Sequence, residues 1–306
     1  MKNVESEILV EPKLLHGNGG RARSEKCVFT VDIEDWFHIP ELPMALSVAE
    51  WDTLPSHVSG NFRAMLEIFA EKGVSVTCFF LGWVAQKFPE LVKEAWSQGH
   101  EIASHGYAHT LVYQMTPEDF LVDISKAKNI IENITGAPVL GYRAPGFSVT
   151  DDTPWFFEKL AEAGYRFDSS IFPASRQYGG GLKTANFTPS VINTAYGRIA
   201  EFPMTVAHVM GRPICFFGGG YLRLFPYPLI KKMGMRVLDQ GRPIIFYVHP
   251  REIDLHHPRI AMSSIRRFKS YVNLRTTRPK IEKILNDFSF TTFGKLIAES
   301  KVHGEH

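Results

Sequence analysis

The sequence lacks the features that mark secreted and membrane-spanning proteins. It has only 3 cysteines in 306 residues, and an odd number of widely spaced cysteines does not suggest a disulfide framework. Cys27 and Cys78 lie in apolar runs, so we expect buried free thiols in a reducing compartment. No apolar run approaches the roughly 20 residues of a membrane span, and residues 1–25 lack the apolar stretch of a signal peptide. The sequence predicts a cytoplasmic protein with a disordered leader at residues 1–25 and no transmembrane segment.

An excess of charge of one sign is also absent. The chain has 34 Lys and Arg against 32 Asp and Glu, a formal net charge of +2, so no overall field attracts nucleic acid. The basic residues between positions 263 and 287 alternate with apolar ones, and we interpret them as the solvent-facing side of a helix pair. A hydrophobic content of 44% is enough for one large core. These values favour an enzyme-sized globular protein without a nucleic-acid partner.

From residue 26 onward, apolar strands alternate with amphipathic helices. The predicted strands cover residues 27–31, 74–81, 99–104, 138–142, 165–167 and 243–248. The predicted helices cover residues 60–73, 89–98, 116–136, 152–163, 226–240 and a pair within 263–287. Continuous apolar strands of this kind belong to parallel sheets. The pattern predicts an α/β fold.

The alternation breaks between residues 172 and 220, where glycine-rich loops surround two short predicted strands. We interpret this stretch as an insertion on the substrate side. The chain is accordingly divided into the leader at 1–25, an α/β barrel at 26–254 that includes the insertion 172–220, and a helical extension at 255–306 packed on the barrel.

Polar side chains of complementary types follow the predicted strands. They are Asp32, Glu34, Asp35, His105, His109, Arg143, Asp168 and His249. In α/β barrels the carboxyl ends of the strands carry the active site. Neutral imidazole is the commonest metal ligand among side chains, and the remaining groups offer an acid, a base and orienting partners. Together they are the set that metal-assisted hydrolysis requires.

The same residues resemble the polysaccharide deacetylases of carbohydrate esterase family four, also called the NodB-like homology domain. The sequence His-Gly-Tyr-Ala-His at 105–109 is similar to the paired-histidine metal motif of that family. Arg-Ala-Pro at 143–145 is similar to its Arg-x-Pro motif, residues 165–170 to its fourth motif, and Val-His at 248–249 to its closing motif. The resemblance implies a deformed (β/α) barrel of seven or so parallel strands.

A narrower resemblance is to the deacetylases encoded with exosortase-type exopolysaccharide systems. It rests on Asp-Ile-Glu-Asp-Trp-Phe at 32–37, Gly-Gly-Gly-Tyr-Leu-Arg at 218–223, His-Pro-Arg-Glu-Ile-Asp at 249–254 and the stretch 267–274. It implies a substrate that is an N-acetylated polysaccharide or a lipid-linked oligosaccharide, and a cytoplasmic or membrane-peripheral location. The sequence leaves open whether the protein forms a homodimer.

The family resemblance also implies a mechanism. A divalent ion, zinc in the first place with Co²⁺, Ni²⁺ and Mn²⁺ as alternatives, is expected on His105, His109 and one carboxylate. Asp32 is expected to act as the base, oriented by Arg143, and His249 as the acid, oriented by Asp168. A backbone N–H near Tyr107 is expected to help stabilise the oxyanion.

Ile33 departs from the family pattern, in which the ligand Asp directly follows the base. Residues 32 and 34 share one face of a strand, which favours Glu34 as the ligand, whereas Asp35 is the ligand if the chain bends. The departure keeps open a metal-independent amidohydrolase of small cyclic amides. A third alternative is a catalytically silent carbohydrate-binding relative.

Flat apolar side chains near these motifs are candidates for contact with a sugar ring. They are Trp36, Tyr107, Pro145 and Phe147.

Overall fold

The computed structural model describes residues 6–7, 27–38, 48–174, 186–256, 258–260 and 263–303. Ten of the described strands form one main sheet. They are β1 (Ser6–Glu7), β2 (Cys27–Ile33), β3 (Thr77–Phe80), β4 (Glu101–Ser104), β5 (Gly141–Tyr142), β6 (Phe167–Asp168), β7 (Ser190–Thr194), β8 (Gly197–Glu201), β11 (Ile244–Val248) and β12 (Phe290–Thr291). A separate hairpin pairs β9 (Ala207–Val209) with β10 (Arg212–Ile214).

Seven neighbouring strands of the main sheet run parallel, in the spatial order β11-β2-β3-β4-β5-β6-β8. Strand β7 is antiparallel to β8, and β12 pairs in parallel with the start of β2. The sheet is curled into a half-barrel with helices around it. The predicted α/β fold with about seven parallel strands is confirmed.

Eleven α-helices occur in the described part of the chain. They are α1 (Val48–Trp51), α2 (Val58–Lys72), α3 (Gly82–Lys87), α4 (Pro89–Ser97), α5 (Pro117–Thr135), α6 (Phe156–Glu162), α7 (Gly219–Leu224), α8 (Tyr227–Asp239), α9 (Ser264–Tyr271), α10 (Thr277–Asp287) and α11 (Phe293–His303). Short 3-10 turns follow β2, β5 and β11 at Trp36–His38, Pro145–Phe147 and Pro250–Ile253. Within the described ranges, every helix is too short or too polar to cross a bilayer.

Helix α5 shows how local sequence sets the ends of an element. The Thr116 side chain accepts a hydrogen bond from the Asp119 N–H at 3.1 Å, and Pro117 occupies the first helical position. The helix ends at Gly136 in the left-handed conformation, with φ of 70°. Its buried face consists of Phe120, Ile124, Ala127 and Ile131. The helix predicted here is therefore confirmed.

The segment predicted as an insertion differs from its prediction. Strands β7 and β8 are part of the main sheet, and α7 begins within the glycine run at 218–220 that the pattern predicts as loop. The glycine run allows the backbone to pack directly against the Tyr247 ring, since a Cβ on Gly218 would lie 2.0 Å from that ring. The other glycine run, at 179–181, lies outside the described residues.

The two ends of the chain return to the main sheet. Within the predicted leader, Ser6–Glu7 pairs with β7, and the rest of residues 1–25 lies outside the described residues. Beyond the confirmed helix pair α9 and α10, strand β12 adds to β2 and Phe293 of α11 is fully buried. Cys27 and Cys78 are buried free thiols, as predicted, and Cys215 is also buried and outside any disulfide.

Candidate metal centre and active site

The carboxyl ends of the parallel strands bring most of the predicted site residues together. Asp32 lies near the end of β2, and His105, Arg143 and His249 directly follow β4, β5 and β11. Because neighbouring parallel strands end at one edge of the sheet, residues far apart in the chain meet there. The resulting cluster contains three imidazoles, two carboxylates and one guanidinium.

Glu34, His105 and His109 form a group whose ligand atoms all lie within 4.8 Å of one another. The Nε2 atom of His109 lies 2.5 Å from Oε2 of Glu34. The His105 Nδ1 atom lies 2.8 Å from the Arg143 carbonyl oxygen. A carbonyl only accepts, so Nδ1 carries the proton and Nε2 keeps its lone pair for a ligand. The loop reaches this geometry through Gly106 and His109, with φ of 73° and 53°.

The protonation states in this group suit a cation. Burial lowers the pKa of His105 to about 4, so its imidazole is neutral near pH 7. Burial alone would raise the pKa of Glu34, but His109, His249 and Arg251 together hold it well below its ordinary value. Oε2 of Glu34 is buried, and its close contact with His109 Nε2 lacks the geometry of a hydrogen bond. An ionised oxygen without a well-directed donor beside two imidazoles fits a divalent ion.

The structure places Asp35 outside this group. Its carboxylate accepts the Ser56 hydroxyl at 2.6 Å and the backbone N–H groups of His57 and Val58 at 3.0 and 3.2 Å. These N–H groups begin helix α2, where a carboxylate is favourable. Burial raises the pKa of Asp35. Asp35 therefore supports the loop that carries Glu34.

Asp32 lies between a guanidinium and an imidazole. Arg143 NH1 donates to Oδ1 of Asp32 at 2.7 Å and to the Thr30 hydroxyl at 2.7 Å, while its Nε donates to the Ser169 carbonyl. Arg143 is fully buried. The second oxygen of Asp32 lies 3.8 Å from His249 Nε2. Arg143 thus fixes the Asp32 carboxylate, with Oδ2 turned toward His249.

His249 is oriented by a carboxylate that the sequence analysis did not assign. Its Nδ1 lies 3.0 Å from Oε1 of Glu252, and that oxygen lies 3.0 Å from NH1 of Arg223. Both partners are almost fully buried. Burial lowers the pKa of His249, but Glu34 and Glu252 outweigh this and raise it. Burial raises the pKa of Glu252, and Arg223 and His249 reverse the effect. His249 is thus biased toward its protonated form.

Asp168, which the resemblance assigns to orient His249, is engaged elsewhere. Its carboxylate accepts the Ser170 N–H at 2.9 Å and the Ser170 hydroxyl at 2.6 Å, and it is hydrogen-bonded to Glu201. The parallel register of β6 and β8 sets Asp168 opposite Glu201, so their side chains share one face. No hydrogen bond or ion pair joins Asp168 to His249, both of which are described. The expected Asp168–His249 contact is corrected to Glu252–His249.

The four predicted sugar contacts fall into two pairs. Trp36 and Tyr107 are half-buried, whereas Phe147 and Pro145 are buried. The Phe147 ring packs in the core, 5.1 Å from that of Tyr247. Its buried ring offers no open face to a sugar, which differs from the prediction.

Asp123 of α5 is a supporting residue that the sequence analysis did not identify. Its carboxylate accepts the N–H groups of Tyr107 and Ala108 at 2.8 and 3.0 Å. The Tyr107 N–H, expected to face an oxyanion, is therefore occupied. For Glu252 a local signal existed, since it follows His249 by three residues. The contact between Asp123 and the 105–109 loop depends on how α5 packs.

Two family models match successive parts of the chain. Residues 47–167 match the model described as Polysaccharide deacetylase, and residues 169–298 match a domain of unknown function, DUF3473. His105, His109 and Arg143 fall in the first match, and Arg223, His249 and Glu252 in the second. The site is therefore built from both matched parts, together with Asp32 of β2 and Glu34, which directly follows that strand.

Curated relatives match about a third of the chain. A peptidoglycan deacetylase of Helicobacter pylori is 29% identical over 107 residues, 35% of this chain and 36% of that protein. A peptidoglycan-N-acetylglucosamine deacetylase of Bacillus cereus is 30% identical over 102 residues, 33% of this chain and 46% of that protein. The chain spans less than half the length of these relatives.

Solved structures match over most of the chain. A Mycobacterium smegmatis protein described as a polysaccharide deacetylase superposes with a TM-score of 0.60 at 18% identity, covering 92% of each chain. A Pseudomonas aeruginosa protein described in the same way gives 0.56 at 16% identity, covering 92% of this chain and 91% of that one. At these identities the likeness concerns the fold.

Proposed function

We propose that this chain, which carries a polysaccharide deacetylase domain at residues 47–167 with a DUF3473 extension, is a metal-dependent hydrolase that removes N-acetyl groups from a polysaccharide. The observation that carries the proposal is the group of Glu34, His105 and His109 beside Asp32 and His249. This set supplies ligands, a base and an acid within one cluster.

Glu34, His105 and His109 would hold the ion, and Asp35 would support the Glu34 loop. When bound, a divalent ion polarises the acetyl carbonyl group and lowers the pKa of a water molecule. Zinc is the first candidate, because two imidazoles and one carboxylate with an open position are typical of catalytic zinc.

Asp32 would remove a proton from the water whose oxygen attacks the amide carbon. Arg143, bound to Asp32 at 2.7 Å, holds the carboxylate in place. As the C–N bond breaks, His249 would donate its proton to the leaving nitrogen. Glu252 holds the Nδ1 side of that imidazole, so that Nε2 faces the reacting atoms. The products would be acetate and a free amino sugar.

The substrate we propose is an N-acetylhexosamine unit of an exopolysaccharide or of its lipid-linked precursor, acted on at the cytoplasmic side of the membrane. The motifs at 218–223 and 249–254 support this choice, because they supply Arg223, Glu252 and His249 to the site. The half-buried rings of Trp36 and Tyr107 are the proposed sugar contacts.

The test measures acetate release from an N-acetylglucosamine oligomer by the purified protein, before and after chelation and after return of Zn²⁺, Co²⁺, Ni²⁺ or Mn²⁺. Chelation should abolish the reaction and one of the ions should restore it. Asp32→Asn should bind the ion but release no acetate. Asp52→Asn, which alters an exposed acid paired with Lys87, should behave as the wild type.

Two outcomes would contradict the proposal. Amide hydrolysis that survives full removal of metal would favour the metal-independent amidohydrolase. Binding of the oligomer without acetate release, with every ion tried, would favour a silent carbohydrate-binding protein.

A further inference from the structure

Positive charge is concentrated in one stretch of the chain. Between Asp254 and Glu282 the sequence contains seven Lys or Arg and no Asp or Glu. The whole chain has a formal net charge of only +2, so the rest of it is net negative. Within this stretch, Lys280 is buried against carbonyl oxygens and Arg278 pairs with Glu282. These contacts involve only two of the seven basic residues, and the partners of the other five are a separate question.

Helix α9 carries exposed apolar side chains among these basic residues. Ile265 is 71% exposed and Phe268 is 56% exposed. Three residues apart on a helix, they lie on one side of it. Arg267 and Lys269 beside them are also exposed. No carboxylate of the described residues forms an ion pair with either of these two cations. A helix that combines exposed apolar side chains with basic residues on its polar side is typical of helices that lie in a membrane interface.

Helix α7 extends this surface. Its side chains Tyr221 and Leu224 are 37% and 43% exposed. The two helices are joined, because Arg223 NH2 donates to the Lys269 carbonyl at 2.7 Å. We call six of the exposed side chains of the two helices the α7–α9 surface. Its members are Tyr221, Leu224, Ile265, Arg267, Phe268 and Lys269.

We propose that the α7–α9 surface binds the anionic headgroups of a lipid membrane, with Ile265 and Phe268 entering the interface. Two observations favour this occupant. Only Tyr221 and Phe268 of this surface have the flat rings on which sugars stack, whereas Leu224 and Ile265 are aliphatic. Two copies of so basic a surface would repel one another. An anionic bilayer satisfies both the charge and the apolar side chains.

The surface lies close to the candidate active site. Arg223, which bonds to the Lys269 carbonyl in α9, also lies 3.0 Å from the Glu252 carboxylate that orients His249. A membrane under α7 and α9 would therefore face a part of the protein that adjoins the candidate active site. Binding to lipid does not depend on the proposed catalytic activity, and it is measured without substrate.

The test is co-sedimentation of the full chain with phosphatidylcholine vesicles, with and without phosphatidylglycerol. Binding should require phosphatidylglycerol and should weaken as salt shortens the Debye length. Arg267→Glu combined with Lys269→Glu should weaken binding by at least about tenfold, since each basic residue near an anionic surface contributes about 1 kcal/mol. Ile265→Ser combined with Phe268→Ser should weaken it to a similar degree.

Matched control variants test whether the loss of vesicle binding is specific to this surface or follows from any change of charge or apolar area. Arg198→Glu combined with Arg212→Glu makes the same change of charge at exposed positions on β8 and β10. Met210→Ser removes a side chain that is 98% exposed. Both should bind vesicles as the wild type does, and circular dichroism should show that all variants are folded.

Three results would overturn the proposal. They are equal binding of the wild type to neutral and anionic vesicles, an equal loss of binding in the control variants and the surface variants, and no binding by the wild type.

Light scattering tests whether a second copy of the chain occupies the surface instead. A concentration-dependent dimer that Ile265→Ser with Phe268→Ser abolishes would assign the surface to a second copy of the chain.

Discussion

Buried acids at one edge of the sheet fall into two groups with different neighbours. Glu34 and Glu252 face imidazoles, at 2.5 Å from His109 and 3.0 Å from His249. Asp35 and Asp168 instead accept hydrogen bonds from hydroxyl and backbone N–H groups. We call the first two the imidazole-side acids and the last two the support-side acids.

In the imidazole-side acids, the neighbours reverse the effect of burial on the pKa. Burial raises the pKa of every one of these carboxyl groups, but cations lower the pKa of Glu34 and Glu252 below the ordinary value. The pKa values of Asp35 and Asp168 remain raised. Only an ionised carboxylate can hold a metal or stabilise an imidazolium. The type of neighbour therefore separates acids that can take part in chemistry from acids that hold loops.

The largest contrast is expected between Glu34→Gln and Asp35→Asn. Glu34→Gln should weaken zinc binding by more than about 100-fold, because loss of a ligand exceeds the 10–100-fold effect of an outer partner. Asp35→Asn should leave zinc binding within about threefold but lower the free energy of unfolding by about 1–2 kcal/mol, since α2 loses its capping carboxylate. Titration calorimetry and urea unfolding measure the two quantities. Equal loss of zinc binding in both variants would place Asp35 among the ligands.

The next contrast is between Glu252→Gln and Asp168→Asn. Glu252→Gln should lower kcat/KM by about 10–100-fold, as expected for a misoriented general acid. It should also move the alkaline limb of the pH profile to lower pH, because the Glu252 charge raises the pKa of His249. Asp168→Asn should change kcat/KM by less than about threefold and leave the limb in place.

The pH profile gives the decisive control for this pair. If the alkaline limb shifts in Asp168→Asn but not in Glu252→Gln, Asp168 is the residue that orients His249. A lower rate alone does not assign this role, because a substitution of either buried side chain can disturb the structure.

The sequence was sufficient to predict where the polar strand ends meet. Apolar runs before Asp32, His105, Arg143 and His249 predict parallel strands, and parallel strands end at one edge. The confirmed sheet is the consequence of that periodicity. The choice between Glu34 and Asp35 was open, because it depends on N–H groups of α2 at residues 57 and 58, which only the folded chain brings near Asp35.

The partners of Asp168 and Glu252 were beyond local patterns. Asp168 pairs with Glu201 because β6 and β8 are adjacent in register, 33 residues apart in the chain. Glu252 meets Arg223 because α7 begins in a glycine run that packs against Tyr247. The composition of the glycine run predicts a loop. Glycine is needed there because the Tyr247 ring leaves no room for a Cβ atom.

A smaller effect, on stability, is expected from Glu201→Gln. The pKa values of Glu201 and Asp168 are raised by burial and, for Glu201, by the neighbouring carboxylate. A raised pKa stabilises the fold at low pH, and this contribution is lost as pH rises through the folded value. From about pH 5 to about pH 8, the wild type should therefore lose about 1–3 kcal/mol relative to Glu201→Gln.

Urea unfolding at several pH values measures this difference. Glu282→Gln, at an exposed acid paired with Arg278, is the matched control and should show no such trend. A wild type that gains stability relative to Glu201→Gln as pH rises would mean that the pair is ionised and held by cations, which would remove the distinction between the two groups of acids.

The smallest effect is expected where an acid faces an imidazole near the surface. Asp254 lies 2.8 Å from His57 Nδ1, a distance like that between Glu252 and His249, but the His57 side chain is 32% exposed. Solvent screens such a pair, so His57→Ala should cost only about 0.5 kcal/mol in urea unfolding and change kcat by less than about twofold. A tenfold fall in kcat would show that an acid in contact with an imidazole supports activity even when the pair is exposed. The two groups of acids would then differ only in the type of neighbour, and burial would not matter.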